Sequence, residues 1–268
     1  MRSIAIMNQK GGVGKTTTAV NVSAALADAG QRVCLIDLDP QAHASIHLGI
    51  EPGADVPSIY DVVSGKARLT DIHRQVSEDL WVVGSHLDLA AAEVELAGLE
   101  GREFILRDKL SEDRLPLDYL LIDCPPSLGI LTLNAMAAVE EILIPLQPHF
   151  LALHGLSRLL ETIGLISQRL NSRLRLSGVV LCMYDSTTRL AAEVSRDVEE
   201  FFRRARNQDT PWAGARAFQT RIRRNVRLAE APSFGQSIFQ YAPKSNGAAD
   251  YRALCREILS GVPAVGRR

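Results

Sequence analysis

The sequence has no excess of either charge: 30 Lys and Arg stand against 31 Asp and Glu, a formal net charge of -1 over 268 residues. No global field announces a nucleic-acid or membrane partner, so any charged recognition surface must be local. Paired cysteines are missing too. Cys34, Cys124, Cys182 and Cys255 are widely spaced with no C-x-x-C, and three of them sit inside apolar runs, which reads as reduced core thiols in a reducing cytoplasm. No apolar run reaches the roughly 18 residues that a membrane span needs. Met1 to Ile6 lead straight into a glycine-rich loop, leaving no room for a signal-peptide stretch. Internal repeats, low-complexity tracts and linker-like composition are also lacking. The expectation is a soluble, cytoplasmic chain folded as a single domain over 1–268, with the Pro- and Gly-bearing segment 50–76 as a surface excursion around a short helix.

What is present is alternation. With 46% hydrophobic residues the chain can bury a large core. Short β-type runs (4–8, 33–39, 81–84, 119–123, 141–146, 177–183 and a last one near 238–239) alternate with helical periodicities at 16–29, 151–170, 190–204 and 250–259. Several of the runs are apolar throughout, as strands buried on both faces are. The fold class is therefore α/β: a mainly parallel, twisted sheet with helices on both faces. Gly30 is placed to stop the helix that begins at Thr16.

Between the first strand and that helix lies Lys10-Gly11-Gly12-Val13-Gly14-Lys15-Thr16-Thr17. The first glycine of the ordinary G-x-x-x-x-G-K-[ST] pattern is Gln9 here, but Gly11, Gly12 and Gly14 still let successive N–H groups turn toward phosphate oxygens at a helix N-terminus. Lys15 is spaced to reach the β- and γ-phosphates of ATP, Thr16 to ligate Mg²⁺ and Thr17 to meet the α-phosphate. Two further strands deliver carboxylates at their C-terminal ends, where parallel sheets bind ligands: Asp37 and Asp39 before Pro40, and Asp123 before Cys124-Pro125-Pro126. Asp123 fits a Walker-B aspartate. Loop, metal and carboxylates orienting water suffice for phosphoryl transfer to water, which needs positioning more than covalent chemistry.

The run Asn8 to Thr18, with Asp37-Leu38-Asp39-Pro40-Gln41, Ile122-Asp123-Cys124-Pro125-Pro126-Ser127-Leu128-Gly129 and Arg224 to Ser233, resembles the ParA/Soj chromosome- and plasmid-partition ATPases of the deviant-Walker superfamily, over residues 1 to about 260. The resemblance implies a deviant-Walker P-loop NTPase that forms an ATP-sandwiched homodimer. In it Lys10 reaches the partner's phosphates, Asp39 positions the hydrolytic water with Asp37 beside it near the metal, Asp123 acts on Mg²⁺, and residues 125–129 form a switch sensing the γ-phosphate. Asp185, Asn225 and Pro243 are expected near the adenine. The implied partners are a second copy, non-specific DNA of the nucleoid and a ParB-type centromere-binding protein that stimulates hydrolysis.

A local basic stripe supports the DNA expectation. Between Phe201 and Arg227 lie Arg203, Arg204, Arg206, Arg216, Arg221, Arg223, Arg224 and Arg227, with Asp209 as the single acid. Such a stripe binds phosphate backbones in a salt-dependent way. Taken with the resemblance, Arg189, Arg216, Arg221, Arg223, Arg224 and Arg227 are the DNA candidates. Thr187 stands where the family leads one to expect an arginine, and Arg223 where it leads one to expect a proline. A MinD-type membrane regulator would end in a basic amphipathic helix, which the final Gly261 to Arg268 does not resemble. A nitrogenase-iron-protein type would need a second cysteine to accompany Cys124. A nucleotide-gated scaffold without turnover is the third alternative. His43 and His47 have the i,i+4 spacing of metal ligands but lack a third, and are read as polar surface or switch residues. Trp81 is expected in the core, and Trp212 in packing or the basic loop.

Overall fold

The computed structural model describes residues 1–53, 55–113 and 115–261. One sheet of eight strands organises them, in the order β3-β4-β2-β5-β1-β6-β7-β8. The strands are β1 Arg2–Ile6, β2 Val33–Asp37, β3 Arg74–Ser77, β4 Leu80–Val83, β5 Tyr119–Asp123, β6 Glu141–Leu146, β7 Arg175–Tyr184 and β8 Arg216–Arg223. All neighbours are parallel except β3 and β4. Every residue of β2 and β5 is buried, which is why these strands read as unbroken apolar runs.

Alternate side chains feed two cores. Ala5, Cys34, Ile36 and Ile122 face one layer, containing α3 Ile59–Val63, α4 Leu69–Ile72, α5 Leu89–Glu95, α6 Ile105–Glu112, α7 Ile130–Ala138, α8 Ala152–Arg169 and α9 Arg189–Ala205. Ile4, Ile6, Leu35 and Leu121 face the other, built from α1 Lys15–Asp28, α2 His43–His47, α10 Val226–Glu230, α11 Ile238–Tyr241 and α12 Asn246–Ser260. The period-two strand pattern thus supplies both layers from one set of strands. α9 shows the complementary helical period: Ala191, Val194, Ser195, Val198, Phe202 and Ala205 are buried, and the Thr188 hydroxyl caps its start by accepting from the Ala191 N–H. Gly30 adopts φ 77° just beyond α1 and donates its N–H to the Ala27 carbonyl at 2.8 Å, the left-handed stop expected there.

Three expectations change. Segment 50–76, expected as a surface excursion around one short helix, carries α3 and α4, whose Ile59, Val62 and Leu69 are buried in the first core, and runs into β3 at the edge of the sheet. The last β-run near 238–239 is a turn of helix, because Ser237 and Gln240 form a capping box that starts α11. The eighth strand lies instead at Arg216–Arg223, within the arginine-rich segment, where charge hides the β pattern. As an edge strand it would leave N–H groups open to another chain. Glu257 of α12 closes part of that edge: its carboxylate accepts from the N–H groups of Gln219 at 2.9 Å and Thr220 at 2.6 Å. Trp81 and Trp212 both pack against the first core, Trp212 against Gly164 of α8. The four cysteines are buried and unpaired.

Candidate functional site

The loop after β1 is held from below and open above. Val13 is buried under it, and the Asn8 side chain ties it to the sheet by donating to the Pro145 carbonyl at 2.8 Å and accepting from the Lys10 N–H at 3.0 Å. Gly12 and Gly14 have φ of 71° and 92°, values that L side chains rarely adopt. No atom lies within 4 Å of where a Cβ would stand at Gly11 or Gly12. The loop enters α1 with no side-chain cap and no acid in the first turn, so the helix's leading N–H groups and positive end are left for an outside anion. Lys15 is buried and bends over the loop, donating to the Lys10 carbonyl at 3.1 Å. Burial draws its pKa down, while Asp123 and Asp39 act to hold it up.

Asp37 and Asp123 are register partners at the C-terminal ends of adjacent parallel strands, and both are fully buried. Their situations differ. Asp37 Oδ2 accepts from the Ser45 N–H at 2.8 Å and hydroxyl at 2.7 Å, and Oδ1 from the Asp39 N–H at 3.3 Å. Burial nevertheless pushes its pKa up to about 6. Neither oxygen of Asp123 has a hydrogen-bond partner; burial and then the neighbouring Asp37 raise its pKa well above the carboxylate range, opposed by Thr16 and Lys15. A buried carboxylate lacking partners, beside a threonine hydroxyl and a lysine, suits a hard divalent cation with oxygen ligands. Asp39 is more open, its Oδ1 accepting from the Gln41 N–H at 3.0 Å.

The other expected residues lie elsewhere on this edge of the sheet or away from it. Asp185, just past β7, accepts from the Thr187 N–H at 2.9 Å and hydroxyl at 2.7 Å. Asn225, just past β8, caps α10 by accepting from the Arg227 N–H. Tyr184 and Arg223, the residues beside these turns, are register partners. Pro243 follows α11 and its carbonyl accepts from Arg252. The basic stripe is not one surface. Arg221 turns to α9, reaching the Ser195 hydroxyl at 2.7 Å and Glu199 at 3.2 Å, whereas Arg216 donates to the Glu257 carbonyl and Arg223 pairs with Asp250 at 2.6 Å, both on α12. Arg227 pairs with Glu230, and Arg203 and Arg204 share Glu200. Acids outside the segment counter most of it. Among the described residues, Arg189, Arg206 and Arg224 are exposed and have no salt-bridge partner.

His47, expected at the polar surface or in a switch, is buried, and burial lowers its pKa to about 4. No group of three His, Cys, Asp or Glu side chains able to hold a metal occurs among the described residues, so the His43/His47 spacing builds none. Cys124 is buried, and burial raises its thiol pKa. Among the described residues no helix is long and apolar enough to cross a membrane. Ser45, which holds Asp37, and His149, whose Nε2 lies 2.8 Å from Lys10 Nζ, carried no sequence signal: neither stands at a motif spacing from the residue it touches.

A mainly parallel sheet whose central strand feeds a glycine loop and helix, with carboxylates on the neighbouring strand ends, defines a P-loop nucleotide-binding protein. A family model described as an AAA domain matches residues 1–176. The chain is 44% identical to the chromosome partitioning protein ParA of Myxococcus xanthus over 96% of its own length and 88% of that protein's. It is equally 44% identical to the sporulation initiation inhibitor protein Soj of Bacillus subtilis, over 96% and 98% of the two chains. Among solved structures, cobyrinic acid a,c-diamide synthase from Mycobacterium smegmatis with bound ADP and magnesium superposes with a TM-score of 0.80 at 34% identity, over 97% of this chain and 94% of that one. The chain belongs to the ParA/Soj family of chromosome-partitioning ATPases.

Proposed function

We propose that this chain is a DNA-partition ATPase in which Mg·ATP joins two copies into a sandwich that binds non-specific DNA, and hydrolysis to ADP and phosphate separates them. The observation that carries the nucleotide reading is the partnerless carboxylate of Asp123 at the foot of an open glycine cradle. Residues 11–17 wrap the phosphates, with Lys15 on their β and γ oxygens. Magnesium, when bound, neutralises phosphate charge. Thr16 and Asp123 hold it, while Asp37, committed to Ser45 and the Asp39 N–H, stiffens the turn that carries Asp39. Asp39 orients the attacking water, and Lys10 crosses to the partner's phosphates. Asp185, Asn225 and Pro243 flank the adenine.

The DNA face is proposed to rest on Arg189, at the start of α9, and Arg224, just past β8, both exposed and without salt bridges, with Arg216, Arg221, Arg223 and Arg227 in supporting positions. A ParB-type protein is the expected stimulator of turnover, and the nucleoid within the cytoplasm the expected location. The test is sedimentation with a non-specific duplex at two salt concentrations, with and without Mg·ATP, using Asp39→Ala to hold ATP. ATP-dependent assembly with salt-sensitive DNA binding is the expected result. An ATP dimer that ignores DNA would remove the DNA-binding half of the proposal.

A further inference from the structure

Lys10 is proposed to leave its own chain for the partner's phosphates, yet here its ammonium is engaged at home. His149 stands past the end of β6, on the turn entering α8, and its Nε2 lies 2.8 Å from Lys10 Nζ. The same ring's Nδ1 lies 3.2 Å from the backbone nitrogen of Leu151. Both neighbours are donors. A neutral imidazole has one acceptor nitrogen, because the other carries the proton. With the proton on Nδ1 the ring accepts from Lys10 and the Leu151 N–H has no acceptor in it; with the proton on Nε2 the reverse holds. The two contacts are therefore alternatives, and the ring's proton decides between them.

We infer that His149 is a positioning residue that holds Lys10 in its own subunit and, when the lysine departs, changes tautomer and takes the Leu151 N–H at the entry to α8. The inference rests on the proposed role of Lys10 and adds the means by which that lysine is kept back. Its release is eased, though not made free, because the ring exchanges the charge-assisted bond from Lys10 for a weaker neutral one from the Leu151 N–H instead of losing it outright. Burial, and then the Lys10 ammonium, lower the pKa of the ring, which keeps it neutral and able to accept. Phe150 and Leu151, beside the ring, are 86% and 60% exposed, so the segment that the ring would tighten is itself at the surface.

The experiment is long-range nitrogen–proton NMR of the histidine rings in the full, nucleotide-free chain, comparing wild type with Lys10→Ala. The inference expects His149 largely as the Nδ1–H tautomer in wild type, the Nε2–H tautomer in Lys10→Ala, and a higher His149 pKa once the cation is gone. The same tautomer and the same pKa in both proteins would overturn it. A second variant, His149→Ala, frees Lys10 and is expected to raise Mg·ATP-dependent assembly about two- to fivefold, the scale of one hydrogen bond; unchanged assembly would overturn the holding role. Wild-type protein that never assembles with Mg·ATP would remove the proposed role of Lys10, and the release half of the inference with it, while the NMR comparison still judges the contact.

Discussion

Asp123 is the residue whose environment asks for something it does not contain. Fully buried, without a hydrogen-bond partner and one strand away from buried Asp37, it carries a desolvation cost in the free chain. Its raised pKa, with that of Asp37 near 6, fixes a sign. A carboxylate whose folded pKa lies above its unfolded value favours the folded state when protonated, so this pair contributes stability at low pH that fades as pH rises through the folded pKa values. Asp123→Asn is therefore expected to raise the melting temperature of the nucleotide-free protein at pH 7.5 while abolishing any further rise with Mg·ATP, read by calorimetry. A melting temperature unchanged without nucleotide would show that the buried charge costs nothing. Lys15→Ala should remove ATP binding, measured by titration calorimetry, since its ammonium is the cation reaching over the loop. Asp39→Ala should bind ATP and hydrolyse it at least tenfold more slowly, a loss of roughly 1.4 kcal/mol or more of transition-state stabilisation.

At the scale of elements, the segment after β2 is clamped to the segment after α10 at two glycines. Gly49 and Gly235 have φ of 74° and 64°, and a Cβ on Gly235 would stand 3.0 Å from the Gly49 Cα. Gly235→Ala is expected to destabilise the fold by about 1–3 kcal/mol in urea unfolding, from the left-handed backbone and the backbone contact together. His47 lies in the same clamp; because its folded pKa is lowered to about 4, stability should be lost as pH falls from about 6.5 towards 4, and His47→Gln should flatten that part of the pH–stability curve. These elements also mark what a sequence can and cannot disclose. Strands buried on both faces and the helix after the glycine loop were legible because their apolar periods and glycines are local. β8 was not, since its arginines find their partners only in the fold: Arg216 the Glu257 carbonyl and Arg223 the Asp250 carboxylate on α12, and Arg221 the Ser195 hydroxyl on α9. The loop and Asp123 were legible as a motif. The hold of Ser45 on Asp37 and of His149 on Lys10 was not, because it depends on the fold bringing distant or unpatterned residues together.

Across the whole molecule charge is balanced in sum, and within the basic stripe acids pair with Arg203, Arg204, Arg221, Arg223 and Arg227, which leaves Arg224, with Arg189 outside the stripe, among the arginines open to a polyanion. If Arg189 and Arg224 meet DNA phosphates, changing each to alanine should weaken DNA binding and reduce the slope of log affinity against log salt by about 1 for each arginine removed, without lowering stability. Arg223→Ala, which breaks the pair with Asp250, should show the opposite balance, losing stability before DNA affinity. Another consequence concerns crowding. If the chain gathers in many copies along DNA, as proposed, its sheet edges meet at high local concentration, and the outer rim of β8 is such an edge. Glu257, with its carboxylate on the Gln219 and Thr220 N–H groups, occupies backbone donors at the irregularity of β8, where a neighbouring strand would otherwise find one to pair with. In such a crowd, one glutamate on α12 would thereby hinder strand-to-strand zipping between identical molecules.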